Sequence, residues 1–146
     1  MEKISLKDSN YFSKLMLNYI DQDENLSELY NLFPIKENYI KQVKTKLENY
    51  KNREILVEQI KQQLSGLDLS KKQQKNVKKL SEKNTVTITT GHQLNLFSGP
   101  LYFLYKIIST INLTTELKAK YPAHNFVPVY WMATEDHDFE EINYFN

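Results

Sequence analysis

Two polar motifs, each directly after a short β-type run, hold the residues best suited to chemistry. Thr90-Gly91-His92-Gln93-Leu94-Asn95-Leu96-Phe97-Ser98-Gly99-Pro100 follows Thr85-Val86-Thr87-Ile88-Thr89. Ala133-Thr134-Glu135-Asp136-His137-Asp138 follows Phe126-Val127-Pro128-Val129-Tyr130-Trp131. In the first, Gly91 lets the chain turn sharply and Gly99 lets backbone approach a ligand closely. The motif ends where a helix begins, and the free N–H groups and dipole of a helix start favour an anion such as phosphate. Ser98 adds a hydroxyl there, while His92 and Gln93 can reach a phosphate or a carboxylate. The pattern is neither the Gly-x-Gly-x-x-Gly fingerprint nor a P-loop. An ordinary strand-to-helix loop is the plainer reading.

The second motif sets Glu135, Asp136, His137 and Asp138 in four consecutive positions. Carboxylates beside an apolar strand are costly unless they pair, bond or bind a cation. One use is a divalent cation shared with nucleotide phosphates, for which Mg²⁺ is the candidate. Another is general acid–base work by His137, oriented by Asp136 or Asp138. A solvated helix start is the plainer alternative, since acidic residues favour first turns. Lys106, His124, Tyr102, Tyr105, Tyr130 and Trp131 are weaker candidates. Lys106 is read as snorkelling, His124 as a surface residue, the tyrosines and tryptophan as packing.

Positioning both motifs takes a strand, a helix and a second strand. Pro100 suits the first helical position, with Gly99 or Ser98 as cap. Leu101, Leu104, Tyr105, Ile108 and Ile111 form the expected buried stripe, and Tyr121-Pro122 stops the helix after about Lys120. The two strands are then parallel, and α/β proteins place ligands at the carboxyl ends of such strands. Two strands alone make no stable sheet. The expectation is therefore the amino-terminal part of a longer protein: residues 1–84 a helical region, 85–146 the incomplete start of a core domain. Upstream, residues 10–20 form a short helix. Residues 35–64 carry a three-four apolar spacing that predicts one helix about 45 Å long at 1.5 Å per residue, needing partner helices. Ser70 caps a shorter helix to about Ser81, whose lysines read as a solvated face rather than a phosphate patch.

Composition narrows the classes. The 146 residues are 40% apolar with net charge +1, so no global field favours nucleic acid or an anionic membrane. No cysteine is present for a disulfide, thiolate site or nucleophile. The start of the chain lacks the apolar run of a signal peptide, and no stretch has the length of a membrane span. A soluble, cytoplasmic protein is the expectation.

Both motifs resemble those of the cysteine-adding enzymes of bacillithiol biosynthesis, the cysteine ligase family. Its pattern is Thr-Gly-Gln-Gln-x-Gly-Leu-x-Thr-Gly-Pro-Leu-Tyr and, after a crossover helix, Pro-Val-Phe-Trp-x-Ala-x-Glu-Asp-His-Asp. The resemblance covers about residues 85–146. His92 stands where that family usually has Gln, Asn95 replaces a Gly, and Ser98 a Thr. Asn is the residue that best tolerates the left-handed conformation such a Gly implies. The resemblance implies a Rossmann-like, nucleotidyltransferase-like core with helical additions including a coiled coil. It implies addition of cysteine to glucosaminyl-malate through an amide bond, with ATP or ADP as the bound nucleotide. Thr90, Gly91, His92, Gln93, Ser98 and Gly99 would then hold phosphate or ribose. Asp136, His137 and Asp138 would handle a cation, the amine or the proton. A homodimer through the helical region is the expected assembly. Two other readings stand beside this one: a helical interaction module without catalysis, and a metal-dependent phosphoesterase using Glu135 to Asp138.

Overall fold

Ser13 opens the first helix by accepting the Met16 N–H at 3.2 Å, giving α1, Lys14–Ile20. In the computed structural model, which describes residues 4–95, 97 and 99–136, six further elements follow besides a 3-10 turn at Glu24–Leu29. They are α2 (Lys36–Asn49), α3 (Arg53–Gln63), α4 (Lys71–Leu80), β1 (Thr85–Gln93), α5 (Leu101–Lys120) and β2 (Asn125–Ala133). Packing divides the chain into two units, residues 1–42 and 43–146.

The first unit is held by small local devices. Tyr19, Tyr30 and Phe33 form an aromatic trio with centroid separations of 5.2, 5.1 and 6.2 Å. Asn38 Nδ2 donates to the Phe33 carbonyl at 3.0 Å, fixing the turn from which α2 starts. Lys7 and Asp21 pair at 2.6 Å, and this hydrogen bond holds the lysine above its ordinary pKa range.

The expected single helix over 35–64 is two helices. The chain leaves helical geometry at Tyr50–Asn52 and restarts at Arg53. A tertiary anchor explains the restart. The Arg53 guanidinium donates to the Leu80 carbonyl at 3.0 Å and to the Thr85 carbonyl at 2.8 Å. This ties the start of α3 to the end of α4 and the start of β1. Asn49 and Asn52, poor helix formers, yield at that point. Val57 and Ile60 of α3 then pack with Leu80, Val127 and Val129, so this part of the stripe lies against the sheet. The α4 cap is as expected: Ser70 and Gln73 form a reciprocal capping box.

The strands β1 and β2 pair in parallel, in register from Thr85↔Asn125 to Gln93↔Ala133. Both α5 and the α3–α4 pair pack on them. On α5 the face that meets the sheet is not the expected one. Thr110, Thr114 and Leu117 are buried, whereas Leu101, Leu104, Tyr105, Ile108 and Ile111 are exposed. The threonines can sit inside because each hydroxyl bonds back to a helix carbonyl: Thr110 to Lys106 O at 2.9 Å, Thr114 to Thr110 O at 2.7 Å. Their methyl groups are left for the sheet. Tyr130 and Trp131, expected in the core, are exposed, Trp131 to 61%.

A polar network closes the amino-terminal end of the sheet. Asn125 donates to Glu82 at 2.6 Å and Asn84 at 3.3 Å, and accepts from Lys118 at 3.3 Å. Lys118 also donates to the carbonyls of Pro122 and His124 at 3.0 and 2.9 Å. His124, expected at the surface, is half-buried, with its Nδ1 shielded and unbonded. No helix among the described residues is long and apolar enough to cross a membrane.

Candidate functional site

At the carboxyl end of the sheet, β1 continues through Thr90-Gly91-His92-Gln93, four positions expected in a loop. Each has a partner on β2: Tyr130, Trp131, Met132 and Ala133. Strand alternation therefore separates them. His92 faces α5, where its ring meets Tyr102 at 5.3 Å and the edge of Phe103 at 5.6 Å, and Thr90 shares that face. Gly91 and Gln93 point to the other. Gly91 is required by a close approach, because a Cβ there would lie 2.9 Å from the Trp131 carbonyl oxygen and 3.0 Å from its Cβ.

His92 is the hub. Its Nε2 lies 2.9 Å from the Tyr102 hydroxyl, and its Nδ1 lies 2.9 Å from Asn95 Nδ2. Asn95 Nδ2 also donates to the Gln93 carbonyl at 2.9 Å, and the Tyr130 hydroxyl donates to the His92 carbonyl at 3.2 Å. Lys106 Nζ donates to the Gly91 carbonyl at 2.5 Å, bringing a positive charge to the strand end rather than snorkelling away. Tyr102 and Lys106 stand one turn apart on α5 and so share a face. That spacing is present in the sequence, on a different face from the apolar stripe. Asn95 is not left-handed; among the described residues of this loop, positive φ belongs to Phe97 (50°) and Gly99 (64°).

The loop suits phosphate. Helix α5 begins at Leu101 with Pro100 in the cap position, and Pro100 makes no side-chain cap hydrogen bond to its leading N–H groups. The place of a Gly99 side chain is taken by Asn95, whose Cγ a Cβ would meet at 2.7 Å. With Lys106 nearby, these features fit the phosphates of a nucleotide. Ser98 lies outside the described residues. Because Gln93 pairs with Ala133, the second motif leaves the sheet beside the first. Glu135 and Asp136 follow in an exposed turn, and Thr134 N–H donates to the Met132 carbonyl at 2.8 Å. His137 and Asp138 lie outside the described residues. Among those described, no group of three His, Cys, Asp or Glu side chains could hold a metal ion. An open groove lined by Lys61, Leu69, Val77 and Glu82 lies on the α3–α4 pair and includes none of the motif residues.

Residues 1–146 match the family described as "Bacillithiol biosynthesis BshC, N-terminal Rossmann-like domain". The chain belongs to the BshC family. Its fold is accordingly Rossmann-like, and β1–α5–β2 is part of that domain. Relatives named "Putative cysteine ligase BshC" match the chain. The one from Flavobacterium johnsoniae is 62% identical over 98% of this chain and 27% of its own length. Those from Flavobacterium psychrophilum and Christiangramia forsetii are 59% and 54% identical, each over 98% of this chain and 28% and 27% of their own lengths. The chain thus spans little more than a quarter of the BshC relatives it matches.

Proposed function

We propose that this chain supplies the nucleotide-holding end of a cysteine ligase of bacillithiol biosynthesis, which joins the carboxyl group of cysteine to the amine of glucosaminyl-malate. The observation that carries this reading is the alignment of both BshC-type motifs at one end of a parallel β–α–β unit, with His92, Tyr102, Asn95 and Lys106 gathered there. A carboxylate does not acylate an amine without activation, and bound ATP would supply it. The residues placed to hold its phosphate or ribose oxygens are Thr90, His92, Tyr102 and Lys106 with the backbone around Gly91, Gly99 and the start of α5. Ser98 and Gln93 complete the proposed set. Asp136, with His137 and Asp138, is assigned to the amine, its proton or a Mg²⁺ ion.

Isothermal titration of the full-length protein with ATP and ADP tests the nucleotide assignment, and absence of binding would sink it. The reaction is tested by thiol profiling of a strain lacking the gene. Accumulated glucosaminyl-malate without bacillithiol is the expected result, and an unchanged thiol pool refutes the assignment. His137→Ala in the full-length protein is expected to abolish ligation.

A further inference from the structure

Helix α5 is covered on one side and apolar on the other. Thr110, Thr114 and Leu117 face the sheet, while Leu101, Leu104, Tyr105, Ile108 and Ile111 are 64, 41, 61, 51 and 41% exposed. At 3.6 residues per turn those five fall within an arc of about 120°, the width of stripe by which a helix meets a core. Single apolar residues at a surface need no explanation, whereas a contiguous stripe marks an interaction surface. From Leu101 to Ile111 the one charged residue is Lys106, and its Nζ turns to the Gly91 carbonyl. Farther along, Lys118 turns to the carbonyls of Pro122 and His124. A face so poor in charge suits a permanent contact rather than a transient one. A bilayer does not fit it, because an interfacial helix keeps its opposite face charged and in water, and here that face is buried on the strands.

The chain matches an N-terminal domain and spans little more than a quarter of the relatives' length, so most of such a polypeptide follows it. A tethered segment meets the stripe at an effective concentration of about millimolar order, an advantage that a second molecule lacks. We propose that the exposed stripe of α5 seats an apolar segment from the part of the full-length polypeptide that follows residue 146. That segment packs on the helix from the side opposite the sheet. Helix α5 is then an interior helix of the whole protein, covered on both sides, with its first turn left at the ligand loop.

Photo-crosslinking of the full-length protein, with p-benzoylphenylalanine in place of Ile108, identifies the occupant. The expected product migrates as one polypeptide, and mass spectrometry places the captured peptide beyond residue 146. A product of two chains, a crosslink within residues 1–146, or no crosslink in the folded variant overturns the proposal. Unsubstituted full-length protein gives a second reading that does not depend on the variant's folding. Hydroxyl-radical labelling of Tyr105 should fall at least about tenfold from the urea-unfolded to the folded protein, as for a side chain reached only by local opening. A fall no larger than its 61% exposure would give by itself overturns the proposal. Protection that vanishes on dilution, as a dimer dissociates, assigns the stripe to a second copy and overturns it as well.

Discussion

Gly91 faces Trp131 across the parallel ladder, and its missing side chain is what lets the two strand ends lie together. Gly91→Ala would force a Cβ against a backbone carbonyl, which can yield only by moving β2. The expected cost is about 1–3 kcal/mol in denaturant unfolding, as for other overpacked sites. ATP affinity should fall with it, because the Gly91 carbonyl also anchors Lys106. An unchanged unfolding midpoint would show that the strands separate freely there. The glycine was legible in the sequence, but its reason was not. By type and position it reads as a turn residue, and only the register with Trp131 shows a close approach within a strand. Asn95 was likewise legible as a special position, though its part is played by the side-chain amide rather than by a left-handed backbone.

Among the elements, α5 shows most clearly where residue type misleads. Leu104, Ile108 and Ile111 form a regular apolar stripe, yet the sheet is met by Thr110, Thr114 and Leu117. A threonine whose hydroxyl is satisfied by its own helix presents a methyl group, so it packs as a small apolar residue. Two substitutions in this chain separate the faces. Leu117→Ala, at 3% exposure, should cost about 2–5 kcal/mol. Ile108→Gln, at 51% exposure, should stay within about 0.5 kcal/mol. The reverse order in thermal or urea unfolding would restore the stripe read from spacing. At the other side of the sheet, Arg53→Met removes two charge-assisted hydrogen bonds to the Leu80 and Thr85 carbonyls. The expected loss is about 2–4 kcal/mol. Arg53→Lys should recover only part of it, because an ammonium lacks the guanidinium's planar fork.

For the second unit as a whole, the two ends of the sheet have different chemistry. At the amino-terminal end, Asn125, Glu82, Asn84 and Lys118 satisfy one another. At the carboxyl end, polar groups gather around His92 beside the start of α5. Stability and binding should therefore separate. Asn125→Ala removes the hydrogen bonds of the buried Asn125 to Glu82, Asn84 and Lys118 and should cost about 1–3 kcal/mol. The folded protein should keep its ATP affinity. A drop in affinity without a drop in stability would show that the two ends are coupled.

The sequence by itself determined the β–α–β order, the parallel pairing it demands, the Ser70 cap, and the placement of both motifs at strand ends. These follow from local rules: β-branched runs, capping side chains and the crossover a parallel pair requires. Tertiary structure alone decided which face of α5 is buried, where the 35–64 segment breaks, and which side chains meet His92. Each depends on partners distant in the chain. Arg53 reaches Leu80 and Thr85, Trp131 backs Gly91, and Tyr102 is brought to His92 by the packing of α5 on the sheet. Residue type along one segment records what a side chain could do, and the fold selects the partner with which it does it.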